Sequence, residues 1–319
     1  MKLTRRRTLR ILAASCAVPV CVLALRQMPG TPQPVRWQGT ALGALSAATL
    51  WSNHPDRARH ALVRMQAEVH RLENIFSLYR TSSEISQLNR DGGISRPSNE
   101  FLEVLDLSRR IAEVSVGAFD PTVQPLWQLY SERKDAGARD IERTVGLVDY
   151  AAISASGRRI RLGRPGMAIS LNGIAQGYIT DRITDLLGNE GFESAMVELG
   201  ETRALGSNPD GNPFSVGLVD PLAPHRVKGS ISLSGNALAV SGGYGHHFDM
   251  SSHHIFDPHT GASAMELAQV AVTAPLAALA DGLSTAIYVA GAEKAPDLLA
   301  AFPNSHALLT DHDGQSVPV

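Results

Sequence analysis

A carboxylate and a hydroxyl four residues apart provide the first chemical signal in this 319-residue sequence. They are Asp281 and Thr285 in residues 280–285 (ADGLST), within a stretch of helical character that follows Pro275. Side chains at positions i and i+4 share one helical face, so both oxygens would point the same way. Mg²⁺ accepts such hard oxygen ligands and usually adds waters and substrate phosphate oxygens. The same pair would also suit an exposed Asp beside a Thr that bonds to its own helix.

A second signal lies where an apolar run turns into a helix, at residues 173–178 (GIAQGY), with Asn172 placed to cap that helix. Free backbone N–H groups and the positive end of the helix dipole favour anions, and small residues let a pyrophosphate come close. The turn is not a Walker loop, because no Gly-Lys-Ser/Thr follows it. A plain strand-to-helix turn would have an equivalent sequence.

Five of the eleven histidines fall within residues 245–261. Adjacent histidines point in different directions, and no His-x-His or helical His-x-x-x-His spacing occurs there, which argues against a zinc site. Residues 257–261 (DPHTG) instead predict a turn with His254 and Asp257 at its edge. Either group could move protons near neutral pH, or the segment could be a surface turn stabilised by Asp257.

Residues 117–122 (GAFDPT) place a tight backbone, an aromatic ring and an acidic acceptor in a row. These are the parts needed to hold a heteroaromatic ring or a ribose. A turn at the start of a helix, with Phe119 buried, would account for the same residues.

The elements that must position these groups include both helices and strands. Apolar residues at three- and four-residue spacing predict amphipathic helices over residues 56–76 and 101–114. Two further helices are expected from Asn172 to about residue 187 and from residues 273–275 to Gly291. Short β-type runs occupy 167–171, 195–199, 214–219, 230–233 and 237–240. The sequence therefore predicts an α+β fold with a mainly antiparallel sheet over residues 37–319.

Overall charge and cysteine content exclude several classes of function. The net charge is −2 with both signs mixed along the chain, so there is no clustered basic surface for nucleic acid. Both cysteines, Cys16 and Cys21, lie in an apolar run near the start, so the remainder has no thiol for a disulfide or a thiolate metal site.

Residues 1–26 have the layout of an export signal. Four arginines within residues 5–10 precede an uncharged run over 11–25, and residues 4–10 (TRRRTLR) resemble a twin-arginine (Tat) signal. The run is shorter than the roughly 20 residues of a spanning helix, although an uncleaved membrane anchor is the alternative. We therefore predict a periplasmic location and a Pro-rich linker over residues 27–36.

Taken in order, these motifs resemble the FAD:protein FMN transferase family, also called the ApbE family. The resemblance covers about residues 37–295 and rests on six segments and a Gly-Thr first strand at 39–43 (GTALG). The six segments are 76–79 (FSLY) with 88–89 (LN), 117–122 (GAFDPT), 173–178 (GIAQGY), 241–244 (SGGY), 254–261 (HIFDPHTG) and 280–285 (ADGLST).

The resemblance implies an ApbE-like, T-fold-related architecture and a specific assignment of site residues. It implies that Mg²⁺ is held by Asp281, Thr285 and the main-chain carbonyl of Ala175, with proton transfer by His254 or Asp257. The implied FAD contacts are Leu42, Tyr79, Ala118, Phe119, Asp120, Gly173, Gln176, Gly177 and Ile255.

The reaction implied is transfer of FMN from FAD to a Ser or Thr of another protein, in a Ser/Thr-Gly-Ala-Ser/Thr-like motif, with release of AMP. Residues 200–206 (GETRALG) and the arginine-rich signal are similar to the NosX branch, which implies a membrane-bound electron donor to nitrous oxide reductase as the acceptor. Two alternatives use the same groups: an Mg²⁺-dependent FAD pyrophosphatase, in which water replaces the hydroxyl, and a non-enzymatic flavin carrier.

Overall fold

A computed structural model describes residues 31–133, 136–250 and 252–319. The predicted export signal lies outside these residues. No helix within the described part combines the length and apolar character needed to cross a bilayer. The α-helices are α1 (Pro55–Phe76), α2 (Glu84–Asp91), α3 (Asn99–Val114), α4 (Gln124–Glu132), α5 (Ala138–Val145), α6 (Ala175–Asn189), α7 (Ala277–Ala290) and α8 (Ala295–Ala300).

The strands form three sheets, of which the largest has eight strands in the order β1-β2-β6-β7-β10-β11-β12-β13. Every neighbouring pair in it is antiparallel, which confirms the predicted α+β class. The strands are β1 (Gln33–Ala41), β2 (Ala44–Ser52), β3 (Gly93–Ser95), β4 (Ile153–Ser156), β5 (Arg159–Leu162), β6 (Ala195–Glu198), β7 (Thr202–Leu205), β8 (Phe214–Asp220), β9 (Ala223–Leu233), β10 (Ala237–Ser241), β11 (Gln269–Ala274), β12 (His306–Thr310) and β13 (Ser316–Pro318).

Helix α1 buries the face that the sequence predicts, whereas α3 leaves Val114, part of its predicted apolar pattern, 39% exposed. On α1 the apolar positions expected from the spacing are all buried: Ala58, Ala61, Leu62, Met65, Val69, Leu72 and Phe76. The small hairpin of β8 and β9 packs on the main sheet through a second apolar cluster, in which Phe214, Leu218 and Leu233 meet Met196 and Leu238. Burial of these apolar faces supplies the main stabilisation of the fold.

Helices α6 and α7 lie against each other in the core, and Gly177 is the point of closest approach. A β-carbon at position 177 would lie only 2.3 Å from the carbonyl oxygen of Ala277. The N-terminus of α7 is capped by α6, because the carboxylate of Asp181 accepts from the amides of Ala277 (2.8 Å) and Ala278 (2.9 Å). Two chain segments far apart in sequence are thus fixed together.

Several predicted boundaries are wrong, among them the start of β9, which lies at Ala223 and not at residue 230. Helix α7 begins at Ala277 and not at residues 273–275, because residues up to Ala274 belong to β11 and the cap comes from Asp181. Helix α6 begins at Ala175, with Ile174 and not Asn172 at the cap position. Strand β1 begins at Gln33, within the predicted linker, since Pro34 is tolerated in an edge strand.

The predicted strand at residues 167–171 is buried but joins no sheet. Its backbone hydrogen-bonding groups are satisfied by a side chain and by another loop instead of by a neighbouring strand. The Asn89 side chain donates to the carbonyl of Ile169 (2.8 Å) and accepts from its amide (2.7 Å). The amide of Ser170 donates to the carbonyl of Pro121 at 2.7 Å. One side chain therefore replaces a neighbouring strand, which periodicity in the sequence could not indicate.

Candidate active site

A cavity of about 1000 Å³ collects most of the predicted site residues from distant parts of the chain. Ala118, Ala175, Gly177 and Asp257 do not line it. The predicted residues that line it are Leu42, Tyr79, Phe119, Asp120, Gly173, Gln176, His254, Ile255, Asp281 and Thr285.

The carboxylate and hydroxyl of α7 meet the glycine-bearing turn before α6, as predicted. The amide of Gly177 donates to Oδ2 of Asp281 at 3.2 Å. A β-carbon on Gly173 would lie 3.2 Å from Oγ1 of Thr285, so this hydroxyl is beside the turn. The hydroxyl of Ser241, at the end of β10, is 3.3 Å from Thr285 Oγ1. Side-chain oxygens from α7 and β10 therefore meet this turn at one end of the cavity.

The cavity wall is acidic. Four carboxylates line it, from Asp120, Glu198, Glu201 and Asp281, and no Lys or Arg occurs among the described residues that do so. Burial raises the pKa of Asp281 well above its ordinary value, and the negative charge of Glu201 raises it further. Asp281 and Glu201 therefore disfavour each other's charged form unless a cation or a proton is present.

The donor set at Asp281 suits Mg²⁺. Within the described residues no three His, Cys, Asp or Glu side chains converge on one point, so a metal site made only of these four residue types is not found there. A carboxylate and a hydroxyl leave positions for water and phosphate oxygens, the arrangement that Mg²⁺ accepts. Ala175, the first residue of α6, lies between Gly173 and Gly177 in this turn.

Glu201 also lines the cavity, although the sequence analysis did not single it out. It lies between β6 and β7, and burial raises the pKa of its carboxyl to about 8, although a hydrogen bond from the Val240 amide acts in the opposite direction. The sequence shows an acid after Gly200 between two β-type runs. Its place in the cavity wall, where its charge raises the pKa of Asp281, depends on packing between distant segments, which that pattern does not reveal.

The imidazole of His254 is held as a neutral group with a defined tautomer. Its Nδ1 is 3.2 Å from the carbonyl oxygen of His246, and because a carbonyl only accepts, Nδ1 carries the proton. Burial, and next the charge of His253, lower the pKa of His254 to about 4. The Nε2 lone pair is therefore available to accept a proton at neutral pH.

Asp257 stabilises a turn. Its Oδ1 accepts from the amide of His259 (2.9 Å), and its Oδ2 accepts from the hydroxyl of Thr260 (2.9 Å). The amide of Gly261 donates to the carbonyl of Asp257 at 2.8 Å, which closes the turn. Both carboxylate oxygens are thus engaged outside the cavity, in agreement with the surface-turn interpretation of this segment.

Residues 117–122 form a rigid part of the wall. Oδ1 of Asp120 accepts from the amide (2.7 Å) and hydroxyl (2.6 Å) of Thr122, and Oδ2 accepts from the amide of Tyr150 (2.9 Å). The ring of Phe119 lines the cavity and faces Gly173. Asp120 therefore fixes the backbone that presents the aromatic ring.

The turn between β1 and β2 forms another part of the wall. Leu42 has a left-handed backbone, with a φ of +48°, and its amide donates to Oε1 of Glu73 at 3.0 Å. Such a conformation is costly for a branched residue and persists only where its surroundings impose it. Tyr79 also lines the cavity and is 59% exposed, so its ring is open to a ligand.

Aromatic side chains that the sequence did not single out complete the wall. Trp127 and His246 line the cavity with their rings stacked at 6.5 Å between centroids. Tyr244 lines it as well, and its hydroxyl accepts from Nε2 of Gln269 at 2.7 Å. Aromatic faces of this kind bind planar heterocycles.

Comparison with known proteins agrees with this geometry. The sequence profile of the ApbE family matches residues 42–309. A protein of Treponema pallidum named FAD:protein FMN transferase is 30% identical over 324 residues, covering 91% of this chain and 89% of its own. A protein of Vibrio cholerae with the same name is 32% identical over 251 residues, covering 72% and 74%.

A solved structure shares the fold. The crystal structure of the ApbE protein from Thermotoga maritima superposes with a TM-score of 0.79 at 26% identity, covering 89% of this chain and 96% of its own. The profile match spans most of the 319 residues, and the fold agrees with it. The chain belongs to the ApbE family.

Proposed function

We propose that this protein is an Mg²⁺-dependent FAD:protein FMN transferase, which splits FAD and attaches the FMN half to a hydroxyl of another protein. One observation carries the proposal: the cavity joins Asp281 and Thr285 to the turn before α6 while its described lining holds no Lys or Arg. A pyrophosphate cannot enter such an acidic cavity without a cation. The names of the relatives support the same activity.

Asp281, Thr285 and the carbonyl of Ala175 are the groups that would hold Mg²⁺. When bound, the ion neutralises the pyrophosphate and stabilises the negative charge that develops during transfer. The chain itself contributes positioning: α6 and α7 are fixed to each other through the Asp181 cap and the contact at Gly177. Positioning and charge neutralisation account for most of the catalysis in such transfers.

His254 is the group that we assign to take the proton of the acceptor hydroxyl. The acceptor oxygen forms a bond to the phosphorus of the FMN half, the bond between that phosphorus and the AMP oxygen breaks, and the hydroxyl proton passes to Nε2. The neutral tautomer with the proton on Nδ1 supports this role. Asp257 holds the turn that follows His254.

The wall residues Leu42, Tyr79, Phe119, Gln176 and Ile255 would contact FAD, because they line the cavity around the proposed metal site. Asp120 and Ala118 would contribute to FAD binding by maintaining the shape of the 117–122 turn. The acceptor would be a flavin-bearing redox protein with a Ser/Thr-Gly-Ala-Ser/Thr-like motif. In a NosX-like role, the acceptor would be the membrane-bound electron donor of nitrous oxide reductase. This protein would meet that acceptor in the periplasm after its own export.

The test is mass spectrometry of an acceptor peptide after incubation with the protein, FAD and Mg²⁺, with and without chelator. A transferase adds FMN to the peptide and releases one AMP for each FMN attached, and chelator stops both. AMP release without a gain in peptide mass would support hydrolysis. Stoichiometric flavin binding without turnover, unchanged by Asp281→Ala, would support a carrier.

A further inference from the structure

The small sheet of β3, β5 and β4 presents arginines on its outer face. Strand β5 is central, and β3 and β4 pair with it in antiparallel fashion on its two sides. Alternation along β5 buries Ile160 in the core and leaves Arg159 and Arg161 exposed on the opposite face. One face therefore attaches the sheet to the core, while the other face carries charge towards solvent.

Serine hydroxyls flank these two arginines on the neighbouring strands. Arg159 lies between Ser95 of β3 and Ser156 of β4, and Arg161 is opposite Ser154 of β4. Directly opposite residues in an antiparallel pair project from the same face, and the two rows are about 7 Å apart along the strand. Guanidinium and hydroxyl groups both donate hydrogen bonds to phosphate oxygens. The sheet thus offers two rows of donors for phosphate.

Two more arginines extend this surface at one end of the sheet. The amide of Arg96, just after β3, donates to the carbonyl of Arg158, just before β5, at 2.6 Å. This bond holds the two chain segments together. The four arginines, called here the arginine face, border a groove of about 510 Å³; they are Arg96, Arg158, Arg159 and Arg161.

The charges of the arginine face are not compensated within the part of the chain that the structure describes. None of its four guanidinium groups forms an ion pair there, and no Asp or Glu is among the described residues that line the groove. Nearby arginines differ, since Arg90 pairs with Asp91 at 2.9 Å and Arg164 pairs with Asp149 at 2.5 Å. The mixed charges of the sequence predict no clustered basic surface, and for this sheet that prediction is wrong. Clustered positive charges repel one another and attract anions.

The composition and shape of the groove favour an extended anionic surface. Every described residue that lines it is exposed, so no wall encloses a small anion, and single ion pairs in solvent are weak. The described lining consists of Arg and Ser, so it lacks both the apolar core of a protein interface and the aromatic rings that stack on nucleic-acid bases. A phospholipid bilayer presents many phosphates in one plane, and each Arg near an anionic bilayer strengthens binding about fivefold.

We propose that the arginine face docks this protein on anionic phospholipid, with its guanidinium groups and the flanking serine hydroxyls contacting lipid phosphates. No described residue that lines the groove also lines the cavity of Asp281. Membrane contact and flavin chemistry therefore use separate residues, and the inference does not depend on the proposed function.

The first experiment measures sedimentation of the full chain with vesicles of phosphatidylcholine alone or of an equal mixture with phosphatidylglycerol. Replacing Arg159 and Arg161 together by Gln should weaken binding to the anionic vesicles ~25-fold, and added salt should weaken wild-type binding. The matched control replaces Arg139 and Arg226 by Gln, which removes the same charge from two exposed arginines outside the groove. Its affinity should stay within about twofold of wild type, because distant surface charges are screened.

Folding of the variants is checked by thermal unfolding. The side chains of Arg159 and Arg161 are exposed, so their replacement by Gln should leave the unfolding temperature unchanged. If that variant does not fold, replacement of Arg96 and Arg158 by Gln takes its place, with the same expected loss of binding.

A second readout locates the contact, because the predicted export signal also contains arginines and an apolar run. Phenylglyoxal modifies exposed arginines, and mass spectrometry measures the rate at each position. Anionic vesicles should slow the modification of Arg159 and Arg161, whereas phosphatidylcholine vesicles should not. The rate at Arg226 should be the same with and without either kind of vesicle.

Wild-type affinity of the Gln variant for anionic vesicles, or unchanged modification of Arg159 and Arg161 in their presence, would overturn the inference. Equal protection by inorganic phosphate at the same ionic strength would make a free anion the ligand and contradict a membrane role. Protection by polyglutamate or RNA but not by vesicles would assign the surface to another macromolecule. Flavin transfer to a soluble peptide needs no vesicle, so failure here leaves the proposed function to its own assay.

Discussion

The amide of Gly177 donates to Oδ2 of Asp281 at 3.2 Å, although 104 positions separate the two residues in sequence. This bond joins the first turn of α6 to the middle of α7. It fixes one carboxylate oxygen and so orients the other. The proposed metal site therefore depends on how closely the two helices pack.

Replacing Asp281 by Asn keeps the size of the side chain and removes its charge. We expect flavin transfer to fall by at least ~100-fold at millimolar Mg²⁺, because the remaining oxygens bind the ion weakly. The measurement is the rate of FMN attachment to an acceptor peptide against Mg²⁺ concentration. Wild-type turnover by this variant in the presence of EDTA would contradict the assignment.

Substitution of His254 by Gln tests the proton acceptor. We expect kcat to fall by ~10²–10⁴-fold with little change in the KM for FAD, because a general base contributes to the chemical step. Asp257→Asn is the comparison. This variant should lose about 1 kcal/mol in the free energy of unfolding, because the turn contacts are weaker, while its kcat stays within tenfold of the wild-type value. If Asp257→Asn lowers kcat more than His254→Gln does, Asp257 is the base and the assignment of His254 is wrong.

Gly177→Ala tests the contact between α6 and α7. Its β-carbon would meet the carbonyl of Ala277 at 2.3 Å, so the helices must separate. We expect a loss of about 2–3 kcal/mol in the free energy of unfolding, together with weaker Mg²⁺ binding. Gly229→Ala is the control, because no heavy atom lies within 4 Å of its β-carbon position. Equal stability of the two variants would show that the helices adjust.

The buried imidazole of His254 predicts a pH dependence of stability. Its pKa is lowered to about 4 in the folded state, so the unfolded chain binds a proton first as the pH falls below about 6.5. The contribution of this imidazole to the free energy of unfolding is fully present above about pH 6.5. It decreases by up to ~3 kcal/mol as the pH falls to about 4. Urea unfolding of the wild type and His254→Gln at several pH values measures it. The variant should show a shallower decrease, and parallel curves would contradict the prediction.

The sequence predicted the elements whose signals are local. The apolar spacing of α1 specifies its buried face within one helix, and Asp281 and Thr285 share a face because they are one turn apart. Even their meeting with the turn at Gly173 was predicted, although only through the resemblance to a family. Local chemistry and motif order were therefore sufficient to predict that Asp281 and Thr285 meet this turn.

The features that the sequence could not predict all depend on distant contacts. Asp181 sets the start of α7 from another helix, so the local signal at Pro275 was misleading. Glu201 reaches the cavity wall because the hairpin of β6 and β7 packs on α6, where Gly200 lies against Gln176. Trp127 joins the wall because its helix packs beside the loop of His246. In each case the contacting residue lies in another element, and the periodicity and spacing of a sequence do not indicate which distant elements come into contact.

Asn89 satisfies both backbone groups of Ile169 with a single amide side chain. Asp has no donor, Leu has neither donor nor acceptor, and Gln would place its amide one methylene too far. Only asparagine can therefore hold this chain segment, which also contacts Pro121 on the aromatic side of the cavity. Genetic selection at codon 89 should tolerate no other amino acid, even though this side chain does not line the cavity.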